Sequence, residues 1–146
     1  MLFLTVHKSM EIVRHKILVP AETARLSELR QYLSQLCAEE NIPSKTTRRM
    51  VLAIDEALAN VIEHSGLNED EGQIELSLEI RDDKIVAEIC DRGIPFDPSP
   101  RSEGHDRRTY PRRGFGLYLI HMIVDRITYE RSSNGQNVLT LMKRIE

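Results

Sequence analysis

The chain has 146 residues, 40% hydrophobic and 29% charged, with a net charge of −3. That length suits one domain with a real core and leaves too little for two, and the slight acidity provides no global basic field to draw nucleic acid. No apolar run approaches the ~20 residues of a membrane-spanning helix. The start, Met1 to Lys8, lacks both the basic region and the long apolar stretch of a signal peptide. Cys37 and Cys90 stand far apart without metal-type spacing and read as buried thiols in a reducing compartment. These bounds predict one cytoplasmic domain over residues 1–146, with no membrane and no direct nucleic-acid partner.

Residues 1–11 are ambiguous between an extra strand and a loose terminus. Residues 12–19 read as a strand stopped by Pro20. From Glu22 to about Glu40 the spacing of Leu26, Leu29, Leu33 and Leu36 predicts an amphipathic helix. Asn41-Ile42-Pro43 breaks it, and Ser44 reads as the N-cap of a second helix over about 45–65, ending near Gly66. After a polar turn at 67–72, Ile74, Leu76, Leu78 and Ile80 alternate with polar residues as a half-buried strand does. A tight connection at 81–84 leads into a second strand over 85–90. The segment from Gly93 to Arg113 is rich in Pro, Arg, Ser and Gly, and a loop of that length in a small domain is usually functional. A third helix is predicted from Gly116 to about Asp125. A hairpin of 127–131 and 138–143 around Ser132-Ser133-Asn134-Gly135 closes the chain. The resulting class is α+β: a two-layer sandwich with three main helices on one face of a mixed, mostly antiparallel sheet.

Three motifs carry chemistry. On the second helix, Glu56, Asn60 and His64 fall at i, i+4 and i+8 and form one polar stripe, while Ile54, Leu58, Val61 and Ile62 occupy other faces. A lone stripe of this kind is usually a solvated helix surface. A carboxylate one turn from a carboxamide can also serve as general base and metal-oxygen ligand beside a nucleotide. The second motif is Asp91-Arg92-Gly93-Ile94-Pro95-Phe96-Asp97-Pro98 at a strand end. Here Asp91 can accept a hydrogen bond from an exocyclic amine such as that of adenine. Gly93 can let a flat ring approach the backbone, and Phe96 can supply an apolar wall; a β-turn would use the same residue types. The third is Arg112-Arg113-Gly114-Phe115-Gly116-Leu117 entering an apolar helix, which offers backbone N–H groups and positive charge to an anion. Across 101–113 the arginines at 101, 107, 108, 112 and 113 outnumber Glu103 and Asp106, a bias that suits a lid over phosphates and equally a solvated arginine loop.

In this order the three motifs resemble the N, G1 and G2 boxes of the GHKL ATPase superfamily, with its Bergerat nucleotide-binding fold. The details are similar to its small bacterial branch, the anti-sigma-factor serine kinases of the RsbW and SpoIIAB type: Asp55-Glu56-Ala57-Leu58-Ala59-Asn60, His64, the Pro-Phe-Asp-Pro ending and Gly114-Phe115-Gly116-Leu117. The resemblance runs from about Ile17 to Ile145. It implies ATP and Mg²⁺ as cofactors, Glu56 as base toward a serine hydroxyl, and Asn60 as the metal ligand. It further implies Asp91 on the adenine amine with Gly93 and Phe96 beside the ring, and Arg113, Gly114, Phe115, Gly116 and Leu117 along the phosphates. In the last strand, relatives favour a threonine where Asn137 falls, and Thr140 is the other candidate for that adenine-side contact. The partners implied are a STAS-type anti-anti-sigma protein as substrate, a sigma factor held by sequestration, and a second copy in a homodimer. The competing function is a non-catalytic ATP-binding module that regulates a partner by sequestration alone. A detached histidine-kinase ATPase domain fits less well, because the chain carries no helical dimerisation segment with a phospho-acceptor histidine.

Overall fold

The computed structural model describes residues 2–8, 12–67, 73–95 and 115–146. The elements run β1 (Leu2–Lys8), β2 (Val13–Pro20), α1 (Leu26–Glu39), α2 (Ser44–His64), β3 (Gln73–Ile80), β4 (Lys84–Asp91), α3 (Phe115–Ile123), β5 (Arg126–Arg131) and β6 (Asn137–Arg144). The ambiguous start is thus a strand. A 3-10 turn over Thr23–Arg25 replaces the first turn of the helix expected from Glu22.

Alternation along the strands decides the layers. In β3, Ile74, Leu76 and Leu78 are buried, as are Ile85, Ala87 and Ile89 in β4 and Leu139 and Leu141 in β6. Against this face lie the leucines of α1 and, from α2, Met50, Ile54 and Leu58. Residues of the opposite parity form the outer face, where Arg14 pairs with Glu79 and Lys16 with Glu75, each at 3.0 Å. The six strands are ordered β1-β2-β3-β4-β6-β5, and all five neighbouring pairs are antiparallel, so no parallel pair of a mixed sheet occurs among the described strands. Cys37 and Cys90 are buried free thiols, and burial, the largest cause in each case, raises their pKa to about 11 and about 12. No helix among the described residues is long and apolar enough to cross a membrane.

Local chemistry sets the ends of the two long helices. Asn41 takes a left-handed φ of 60° after α1, and the N–H groups of Asn41 and Ile42 return to the carbonyls of Ala38 and Cys37 at 3.1 and 2.9 Å. This double bond pattern satisfies carbonyls that the end of a helix leaves open. Ser44 is not the N-cap of α2. Pro43 holds that place with extended backbone, and its carbonyl accepts the Thr47 N–H at 3.0 Å. At the other end of α2, Gly66 adopts φ 72° just past the Ser65 cap, a left-handed conformation that glycine takes at least cost.

The chain path positions the site. After α3 it runs along the edge strand β5 and folds back as β6 beside β4. The end of β4 therefore meets the start of β6, with Asp91 directly opposite Asn137.

Candidate functional site

The polar stripe of α2 is not a solvated surface. Asn60 is buried at 8% exposure and Glu56 is half-buried. Neighbouring Asp55 is held by Arg30 of α1 at 3.0 Å, whereas no ion pair involves Glu56 among the described residues. Burial raises the Glu56 pKa above its ordinary value, and the charge of Asp55 adds to the shift. A carboxylate that holds protons more tightly is a better base at neutral pH. Above it stands the start of α3. A Cβ built on Gly116 would collide with Oε2 of Glu56 and stand 3.4 Å from its Cδ. With glycine at 116 the Glu56 carboxylate can lie directly against the start of α3.

One turn along α2, the Asn60 amide nitrogen Nδ2 is buried with no hydrogen-bond partner. A buried amide left this way costs about 1–3 kcal/mol, so the carboxamide is either strained or waiting for a group. Its oxygen is the hard donor that Mg²⁺ accepts, and a bound nucleotide offers acceptors for its nitrogen. The residues present therefore fit a magnesium–nucleotide pair.

The second half of the site lies at the β4–β6 junction. Asp91 is buried, and its Oδ1 accepts the Gly93 N–H at 2.8 Å and the Asn137 Nδ2–H at 3.0 Å. Beside it is a small cleft lined by Val61, Ser65, Asp91, Ile94, Tyr129 and Leu139. Val61, the residue after Asn60 on α2, is one of its walls, so the same helix carries the carboxamide and borders the cleft. Gly93 has a packing reason of its own: a Cβ there would stand 2.6 Å from the carbonyl oxygen of Ser65 and 3.0 Å from its Cα. The adjacent Ile94 N–H donates to the same carbonyl at 2.8 Å, locking the strand end to the end of α2.

The structure thus brings Glu56, Asn60, Asp91, Gly93 and Gly116 around one region, with Leu117 half-buried on the first turn of α3. It does not bring Thr140 there. On β6, Asn137, Leu139 and Leu141 face the helices, and Thr140 faces out, lining a groove with Lys84, Arg126, Thr128 and Met142. Thr140 is three positions from Asn137, an odd step that puts them on opposite faces. Phe96, Arg113 and Gly114 lie outside the described residues, as does the arginine-rich stretch, and of Phe115 the backbone alone is described. Sequence reasoning missed Tyr129 and Ser65 as cleft residues and left Asn137 undecided. The alternation of Val138 and Thr140 with Leu139 and Leu141 was the available signal for Asn137.

The family model of the histidine kinase-like ATPase domain matches residues 19–143. The chain belongs to that family. Its relatives include serine-protein kinases named RsbW. That of Listeria monocytogenes serotype 4a (strain HCC23) is 27% identical over 114 residues, 73% of each chain. That of Bacillus velezensis is 23% identical over 129 residues, 84% of this chain and 81% of the relative. Among solved structures, one of RsbU and RsbW domains from Mycobacterium tuberculosis superposes with a TM-score of 0.64 at 19% identity, over 89% of this chain and 32% of that one. The histidine kinase domain of a blue-light activated histidine kinase from Erythrobacter litoralis gives 0.51 at 15% identity, over 87% and 62%. At such identities these two establish the fold alone. The α+β architecture of this histidine kinase-like ATPase domain is the one they share.

Proposed function

We propose that this chain is a Mg-ATP-dependent protein serine kinase and anti-sigma factor in a partner-switching module. The observation that carries the reading is Glu56: a half-buried carboxylate of raised proton affinity, pressed against the glycine that opens α3, one turn from a buried carboxamide lacking a partner. A structural carboxylate would be paired, as Asp55 is.

In this reading Glu56 takes the proton of a partner's serine hydroxyl as that oxygen attacks the γ-phosphorus and the bond to ADP breaks. Asn60 would hold Mg²⁺, which when bound supplies charge neutralisation on the phosphates. The chain's own share is positioning, which dominates phosphoryl transfer. Asp91 and Gly93 would receive the adenine with Phe96 as a wall, and Arg113, Gly114, Phe115, Gly116 and Leu117 would border the triphosphate. Kinship with serine-protein kinases named RsbW supports the serine kinase reading. The resemblance to that branch implies a STAS-type anti-anti-sigma protein as substrate, a sigma factor as the sequestered partner, a homodimer and a cytoplasmic setting. A phosphoserine adds close to two negative charges and would release the antagonist by repulsion and desolvation at the interface.

The test is Glu56→Gln, which keeps the size and one acceptor oxygen but removes the base. It should abolish transfer of the γ-phosphate while leaving Mg-ATP binding intact. Transfer at the wild-type rate would refute the assigned mechanism, and a wild type that binds ATP without transferring it would leave a sequestering module.

A further inference from the structure

We infer that Asn137 is the positioning residue that makes the cleft selective for a purine carrying a 6-amino group over one carrying a 6-oxo group. The inference rests on the reading of the cleft as a nucleotide site. Asn137 is 2% exposed and uses its full hydrogen-bonding capacity. Its Nδ2 donates to Asp91 Oδ1 at 3.0 Å and to the Gly93 carbonyl at 2.9 Å. Its Oδ1 accepts from the Tyr129 hydroxyl at 3.0 Å and from Arg131 Nη1 at 2.9 Å. The amide cannot be turned over. A guanidinium only donates and a carbonyl only accepts, so the oxygen must face Arg131 and the nitrogen Gly93.

This fixed amide acts on Asp91. Oδ1 of that carboxylate is committed to two donors, the Gly93 N–H and Asn137. Oδ2 has no partner among the described residues, and Asp91 lines the cleft. A ligand therefore meets one acceptor in a set orientation, prepared before it arrives. A 6-amino group can donate to that oxygen. A 6-oxo group faces it lone pair to lone pair and leaves a buried carboxylate oxygen unpaired, the situation that gives strong discrimination. Tyr129 lines the same cleft and bonds the same amide, which couples the cleft wall to the group that reads the base.

The experiment compares ATP with inosine triphosphate, whose purine carries a 6-oxo group and N1–H in place of the 6-amino group and bare N1. Equilibrium affinities are measured for the wild type, N137A, N137T, D91N and D91N/N137A, with thermal unfolding of each. The wild type should prefer ATP by about tenfold or more. N137A should lose most of that preference by weakening ATP, and N137T, whose single hydroxyl hydrogen can serve Asp91 but not Gly93 as well, should lose less of it. In D91N the two donors at the committed atom demand an oxygen, so the new amide nitrogen faces the cleft and the preference should invert toward inosine triphosphate. Removing Asn137 as well should erase most of the inversion. A purely structural Asn137 would lower the unfolding temperature and leave the affinity ratio unchanged. That result, or a D91N inversion of equal size with and without Asn137, overturns the inference while the kinase reading stands. A wild type that binds neither nucleotide overturns both.

Discussion

Gly116→Ala separates the site from the scaffold. The added Cβ meets Oε2 of Glu56, the far end of a flexible side chain, and no backbone atom is among its close neighbours. The carboxylate must withdraw by roughly 1 Å to recover ordinary contact, which a half-buried glutamate does by changing rotamer. Folding should tolerate this, because alanine in place of glycine within a helix gains up to about 1 kcal/mol, and the unfolding temperature should stay within about 3 °C of wild type or rise. Catalysis should not tolerate it. A misplacement of about 1 Å costs on the order of 100-fold in rate, roughly 2.7 kcal/mol of barrier. The assay is single-turnover γ-phosphate transfer at saturating Mg-ATP, with nucleotide affinity measured separately because Gly116 is proposed to border the phosphates. A variant that is stable and binds ATP yet transfers at the wild-type rate would refute the role given to the Gly116–Glu56 contact. So would a loss of several kcal/mol in stability.

The same substitution at Gly93 should behave oppositely. There the Cβ meets the Ser65 backbone, which cannot swing aside, so Gly93→Ala should cost about 1–3 kcal/mol in denaturant unfolding and weaken nucleotide binding; an unchanged midpoint would show that the junction is softer than its geometry. Burial, and then the charge of Asp55, raise the proton affinity of Glu56 in the fold, so folding penalises its ionised form. Stability is then full below its unfolded pKa and is lost as pH rises through the raised folded value. Glu56→Gln should accordingly unfold at a higher temperature than wild type at pH 8, with the gap closing toward pH 4, and a lower temperature at pH 8 would contradict the assigned burial cost. Thr140 faces away from the cleft, so Thr140→Val should leave ATP affinity within about twofold, and a larger loss would return it to the site.

The layers of the fold could be read from local pattern, because burial imposes a period and the period is written in the residues. Ile74 to Ile80 alternate, Leu26 to Leu36 recur at helical spacing, and both assignments match the elements observed. Glu56 and Asn60 were equally accessible, since one helix sets their spacing without help from the rest of the chain. What local pattern could not supply were contacts made by topology. Asp91 and Asn137 lie 46 residues apart and meet only because β6 inserts between β4 and β5. The backbone that demands glycine at 93 belongs to the end of α2, and the side chain that crowds position 116 to the middle of the same helix. Thr140 is the alternative that a threonine preference among relatives suggests, and the parity of β6 puts it on the face opposite Asn137. Residue type favours Ser44 as a cap, whereas the non-helical backbone at Pro43 sets the boundary one residue earlier.

The most direct test is transfer of labelled γ-phosphate from Mg-ATP by the purified protein into soluble extract of its own source, with Glu56→Gln and Asn60→Ala in parallel. One small protein should become labelled, with the acid stability of phosphoserine, and neither variant should label it. Absence of any labelled protein, although the wild type binds ATP, would contradict the kinase assignment and leave a module that regulates its partner by binding alone.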